Sequence, residues 1–176
     1  MADTTSLILR DGFDRVHDQL PSELDGLTGE QLLWRADEDA NPIGWLTWHL
    51  SRVQDDHLAD LGGIDQVWVT GGWSTRFALP YDDGAIGYGQ SSDEVGAFDV
   101  TDTSVLLGYH DAVHQLTMQV LDGLTSDADY ERIVDRRWDP PVTAAARLVS
   151  VINDTTQHLG QIGYLRGLVQ RRGPQS

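Results

Sequence analysis

The chain contains no cysteine and no lysine. Without cysteine there is no disulfide, no thiolate metal ligand and no cysteine nucleophile. Without lysine there is no Schiff base to pyridoxal phosphate or to a carbonyl substrate, and no P-loop. Basic residues are scarce altogether: 12 arginines stand against 28 acidic residues, a net charge of -16. Such a surface repels phosphate backbones and anionic lipid headgroups, which argues against nucleic acid and membranes as partners. An apolar run of about eighteen residues is also missing, as is an amino-terminal basic segment followed by an apolar stretch, so neither a membrane span nor a signal peptide is expected and the cytoplasm is the expected location. Chemistry on this chain must therefore use metal, histidine, carboxylate, hydroxyl or a cofactor.

What is present is a core. A length of 176 residues with 40% hydrophobic content suits one domain, expected over residues 1–172 with a disordered tail at 173–176. Apolar residues recur at helical spacing in four long stretches and no alternating pattern suggests a sheet, so the class is all-α. The first helix is expected from Thr4 to Leu27, with Leu7, Leu9, Phe13, Val16 and Leu20 as its buried stripe and Pro21 tolerated within it. A polar connection, Thr28 to Asn41, precedes a second helix that opens at Pro42 and stops at Gly62-Gly63. From Ile64 to Val100 glycines cluster and aromatic residues punctuate the text. A long loop is expected here, with a short helix near Ser92 to Phe98, serving as a substrate lid or as a homodimer contact. The third helix is read from Thr103 to Leu124, and the fourth from the Pro140-Pro141 pair to about Arg171. Four antiparallel helices of this kind form a bundle whose interior accepts metal ligands from facing helices.

Six histidines could serve: His17, His49, His57, His110, His114 and His158. Asp154 and His158 lie four apart, one turn on one helix face, and His49 sits within the apolar run GWLTWHL, where a partly buried imidazole needs a partner. Two nitrogens and a carboxylate suit zinc, nickel or a related divalent metal. His110 and His114 compete, since H-x-x-x-H is the better-known helical ligand spacing. His57 follows His49 by eight residues, about 12 Å along a helix, too far to share one ion. Spacing alone leaves the two pairs open.

The segments NPIGWLTWHLSRVQDDHLADL and LVSVINDTTQHLGQIGYLRG, with GYGQSSDEV and RWDPPVTAAARLVS between them, resemble the DinB superfamily. The similarity is to its actinobacterial branch, which includes mycothiol-dependent maleylpyruvate isomerase and the mycothiol S-transferases, and it covers nearly the whole chain. The resemblance implies a DinB-like four-helix bundle with a long loop between the second and third helices. It implies a divalent metal on His49, Asp154 and His158, although many members carry glutamate or histidine where this chain has Asp154. His110 and His114 match no ligand position of the family. The implied reaction is transfer of a metal-activated thiol, mycothiol, to an electrophilic small molecule in detoxification, with the metal-bound thiol or water in place of a side-chain nucleophile. Trp45, Trp48, Trp73 and Arg166 could offer flat faces and donors to a sugar-like cofactor around the bundle mouth. The alternatives are a metal-dependent hydrolase or isomerase, and a metal-binding protein without catalysis.

Overall fold

The computed structural model describes residues 4–172. The expected tail at 173–176 lies outside them. Four long helices carry the core: α1 (Thr4–Leu24), α3 (Ile43–Gly62), α7 (Thr103–Gly123) and α9 (Ala144–Arg171). Between them stand short helices α2 (Gly29–Leu33), α4 (Val67–Thr70), α5 (Trp73–Phe77), α6 (Ser92–Gly96) and α8 (Asp127–Glu131), and an antiparallel pair, β1 (Ile133–Asp135) with β2 (Val142–Thr143). The all-α class stands. The small strand pair and the short helices α2, α4, α5 and α8 are additions to the sequence reading.

Paired residues give the helix directions. Along α1 and α7, Arg10 meets Asp122, Asp14 meets His114 and His17 meets Asp111, so these helices run in opposite senses. Along α3 and α9, His49 meets His158 and His57 meets Arg147, again opposed. Ser51 on His110 and Gln54 on Thr117 show α3 and α7 running parallel. Gly12 beneath Ile152 and Ser22 at Arg166 show the same for α1 and α9. The order is therefore up-down-down-up, not the all-antiparallel arrangement expected from the sequence.

The long connection between α3 and α7 makes this possible, because it retraces the length of α3. Asp55 accepts from the main-chain N–H groups of Val67 and Trp68 at 3.0 and 2.8 Å, capping α4 from another helix. The fully buried Arg52 donates to the Ala85 carbonyl and to Gln66, and Ile86 and Gln90 reach His49 and Trp45. Phe98 and Val100 then close on Gly44, where a Cβ would stand 2.8 Å from the phenyl ring. The segment is a wall packed onto the bundle rather than a free lid. Asp55 and Arg52 lie 3.6 Å apart with Tyr109 donating to the carboxylate, so these buried charges are paired and hydrogen-bonded as interior charges must be.

Helix ends follow local chemistry. Thr28 and Gln31 form a capping box on α2, and Asp102 and Thr143 cap α7 and α9, each cap contributing about 1 kcal/mol. Gly63 closes α3 at φ 62°, where a side chain would be strained. On α1 the buried series is Ser6, Leu9, Phe13, Val16, Leu20 and Leu24. Leu7 is 56% exposed and does not belong to that stripe. Two residues before Leu9 is about 200° around the helix, on the outer face, and Ser6 takes the inward position.

Candidate metal centre

α3 and α9 face each other in opposed directions, and this brings His49, Asp154 and His158 together with one ligand atom from each within 4.8 Å of the others. Among the described residues no other group of three His, Asp or Glu side chains converges in this way. The two imidazoles meet edge to face, 4.8 Å between centroids at 76°. His49 is buried, and Asp154 and His158 are partly open.

The tautomers follow from the outer partners. His49 Nδ1 lies 2.5 Å from the Ile86 carbonyl oxygen, which can only accept, so Nδ1 carries the proton and Nε2 is bare. His158 Nδ1 lies 2.8 Å from Gln161 Oε1 with the same consequence, and its Nε2 is 3.6 Å from Asp154 Oδ1. Both bare nitrogens thus belong to rings whose far edge is already fixed, the usual arrangement around metal-ligating histidines. Asp154 Oδ2 is buried with no hydrogen-bond partner, a costly state for a carboxylate oxygen unless a cation takes it. The residues present therefore fit a divalent ion of the zinc or nickel kind, with three protein ligands and room for a fourth.

The electrostatics bias His49 toward the neutral form, Asp154 toward the anion and His158 toward a proton that a metal ion would displace. Burial lowers the His49 pKa against the opposing effect of the Ile86 bond. Burial resists ionisation of Asp154, but His158, His49 and His57 outweigh it and hold the carboxyl below its ordinary value. Burial also opposes protonation of His158, and there the Asp154 and Gln161 contacts outweigh it, raising the pKa.

The connection segment shapes one wall. Gly87 has φ 90°, and a Cβ there would stand 2.5 Å from His49 Nδ1 and 2.9 Å from the Trp45 ring. Only glycine allows the backbone so close in that conformation. Trp45 stacks on His49 at 4.7 Å and 15°, and its Nε1 donates to Gln90 Oε1 at 2.8 Å. Trp48 is buried against Tyr81, Trp68 and Phe98. Trp73 and Arg166 are engaged elsewhere. Trp73 packs on Tyr109 and Gly108 of α7 beneath the Arg76 guanidinium, and Arg166 donates to the Ser22 carbonyl on α1.

His110 and His114 do not form a chelate. Their partners are Ser51 and Asp14, and His17 stacks between them. The sequence reading missed Ile86, Gly87 and Gln161. Gln161, three residues after His158, was visible as an i, i+3 neighbour; a main-chain carbonyl such as that of Ile86 has no side-chain signature.

Fold and site together define a four-helix bundle with a histidine-carboxylate trio between two of its helices. The family model of mycothiol S-transferases matches residues 8–171, and the chain belongs to that family, within the DinB-like superfamily. Its structure is similar to the crystal structure of a conserved protein from Enterococcus faecalis, with a TM-score of 0.89 and 28% identity, covering 97% of this chain and 99% of that one. No curated protein sequence matches the chain at a significant level.

Proposed function

We propose that the protein is a divalent-metal-dependent mycothiol S-transferase that joins the thiol to an electrophilic small molecule, with His49, Asp154 and His158 as the metal ligands. The observation that carries the metal reading is the trio itself: two bare Nε2 atoms, each backed by a hydrogen bond on the far side of its ring, beside a buried carboxylate oxygen without a partner. Membership of the mycothiol S-transferase family supports the thiol. A bound zinc-like ion supplies a positive charge that lowers the pKa of a coordinated thiol.

The chain's own residues hold and orient. Ile86 and Gln161 keep both imidazoles in the ligating tautomer. Trp45 and the Ile86-Gly87 backbone cover one side of His49 and exclude water there, which strengthens every charge interaction inside. With no cysteine of its own, the protein offers no competing thiol to the electrophile. Detoxification in the cytoplasm is the setting this reading implies. In the described residues no helix is long and apolar enough to cross a membrane.

The test is metal content of the purified protein together with conjugation of monobromobimane or chlorodinitrobenzene, with mycothiol and with glutathione in parallel. One ion per chain and mycothiol-dependent product are expected. Stoichiometric metal without product from either thiol would overturn the transferase reading, and protein that binds no divalent metal would overturn the ligand assignment.

A further inference from the structure

The outer face of α9 carries no charge over most of its length. Every exposed residue on it from Ala146 to Tyr164 is uncharged, Val149, Asn153, Gln157 and Gly160 among them. The charged residues of this part of the helix turn aside: Arg147 to His57 and Asp135, Asp154 to His158, and Arg166 to the Ser22 carbonyl on α1. Charge returns at the edges, with Glu23 beside Gly163 and Arg171 beside Gly167. Other helices show exposed charge outward, as with Asp11, Arg15 and Asp18 on α1 and Asp111 and Asp122 on α7.

The same face exposes large apolar groups. Val149 is 60% exposed and Tyr164 69%. On the adjoining α1, Ile8 is 67% exposed, one turn before the Gly12 that packs beneath Ile152. Between Val149 and Tyr164, Gly160 has nothing within 4 Å of the Cβ it lacks. A glycine inside a helix costs about 1 kcal/mol relative to alanine, and no contact within the chain requires this one. From Ala146 to Tyr164 the face is about 27 Å long, and with Ile8 on one flank and Ala40-Asn41 on the other it covers on the order of 600 Å². Two such faces reach about 1,200 Å², the lower bound for stable interfaces.

Charge decides what can cover it. A chain of net charge -16 repels its own copies over most of its surface, and two copies approach at least cost where charge is missing. The connection between α3 and α7, whose aromatic residues suggest a dimer contact in the sequence, presents Asp82, Asp83, Asp93 and Glu94 and would meet like charge. The outer face of α9 is also complementary to itself. Val149 lies as far before the Thr156-Gln157 midpoint as Tyr164 lies after it, and Asn153 as far before as Gly160 after. Two antiparallel α9 helices related by a two-fold axis at that midpoint would set Tyr164 against the partner's Val149 and Asn153 against the partner's Gly160, large beside small at each pair.

We propose that the uncharged outer face of α9 is the interface of a two-fold symmetric homodimer, in which the two α9 helices pack antiparallel about Thr156-Gln157. The metal centre stays clear of this contact, because Asp154 and His158 leave the helix about 100° and 140° around from Asn153. The proposal does not depend on the transferase reading.

Sedimentation velocity of the full chain tests it. Wild type at about 50 μM should sediment as a dimer, and raising NaCl from about 20 to 300 mM should strengthen association, since salt screens the repulsion between two acidic chains and this interface holds no ion pair to weaken. Gly160→Glu and Asn153→Arg each bury an unpaired charge at the contact, and each should weaken association at least about tenfold with helix content unchanged by circular dichroism. The double variant sets the new glutamate of each copy against the new arginine of the other, and association should return to within about threefold of wild type. A wild-type monomer at both salt concentrations would overturn the proposal and leave this face to a different protein. A dimer that both single variants leave as tight as wild type would place the contact elsewhere and overturn it as well. Absence of recovery in the double variant would overturn the antiparallel pairing.

Discussion

Two imidazole-carboxylate clusters of this bundle share an i, i+4 spacing of candidate ligands, and their rings are set differently. Between α1 and α7, His17 stacks on His114 at 4.0 Å and 21°, and on His110 at 5.9 Å and 25°. Imidazole lone pairs lie in the ring plane, so stacked rings point them side by side. Ring nitrogens there are also engaged: His17 Nε2 lies 3.2 Å from Asp111 and His114 Nε2 2.8 Å from Asp14. Between α3 and α9 the rings meet edge to face, and the hydrogen bonds are on the outer nitrogens. Residue type and spacing are shared by both clusters; edge-to-face rings whose ligand atoms lie within 4.8 Å of one another and of a carboxylate oxygen belong to one.

The largest effect follows from removing a ligand. His49→Ala and His158→Ala should each weaken metal binding by more than about 100-fold, since loss of an outer partner alone typically costs 10–100-fold. His110→Ala should keep one ion per chain while losing stability, because it opens a hole in the core. Elemental analysis after dialysis against a weak chelator reads all three. Equal metal loss from His110→Ala would mean that the stacked cluster binds the ion.

The stacked cluster has its own signature in pH. Ser51 spends its proton on the Thr47 carbonyl, so His110 Nδ1 donates to Ser51 and the buried Nε2 is left bare and unpartnered. Burial first, then the neighbouring His17 and His114, push the His110 pKa down to about 3. The unfolded chain takes up that proton near pH 6.5, so between those values it binds more protons than the folded chain. This contribution to stability is complete above pH 6.5 and falls by about 1.4 kcal/mol per unit as the pH drops toward 3. His110→Leu should lose that increment, so denaturant midpoints of the variant should gain on wild type at each step from pH 6 to pH 4. A constant difference across that range would show that His110 is not held neutral by burial.

The four long helices were legible because their apolar period is strong over twenty or more residues, and the stops at Gly63 and after Gly123 fall within a residue of expectation. The short helices α4 and α5 were not. The amino terminus of α4 is capped by Asp55 on another element, so its sequence carries no local start signal. Helix direction was illegible for a related reason: whether a long connection returns along α3 depends on contacts such as Arg52 to Ala85, which no periodicity records. For the site, spacing left Asp154-His158 and His110-His114 equal, and the resemblance to DinB proteins separated them. Ring orientation also distinguishes the two pairs, and it is a property that residue spacing does not encode.

The wall of the site offers a finer test. Gly87→Ala places a methyl group 2.5 Å from His49 Nδ1 on a backbone at φ 90°, so the segment must retreat and the Ile86 carbonyl must leave the imidazole. A loss of about 10–100-fold in metal affinity is expected. Gly89→Ala is the matched control: its φ of 75° imposes the same kind of strain, yet nothing lies within 4 Å of the added carbon. It should lower stability by about 1 kcal/mol and leave metal affinity unchanged. Equal losses of affinity in both would assign the effect to loop strain and not to the His49 hydrogen bond.

The smallest effect is expected at Gln161, the outer partner of His158. The side chain is exposed, so Gln161→Leu removes a hydrogen bond that water can partly replace, and metal affinity should fall by about tenfold, the low end for an outer-partner loss. Gln161→Glu should act in the opposite direction. A carboxylate accepts from Nδ1–H more strongly than an amide does and raises the basicity of Nε2, so affinity should equal or exceed that of wild type. The pair of variants separates orientation from electronics: if Leu weakens and Glu strengthens binding, Gln161 tunes His158 as a ligand. If both weaken it equally, the amide is needed for its shape, and His158 binds without help from the charge behind it.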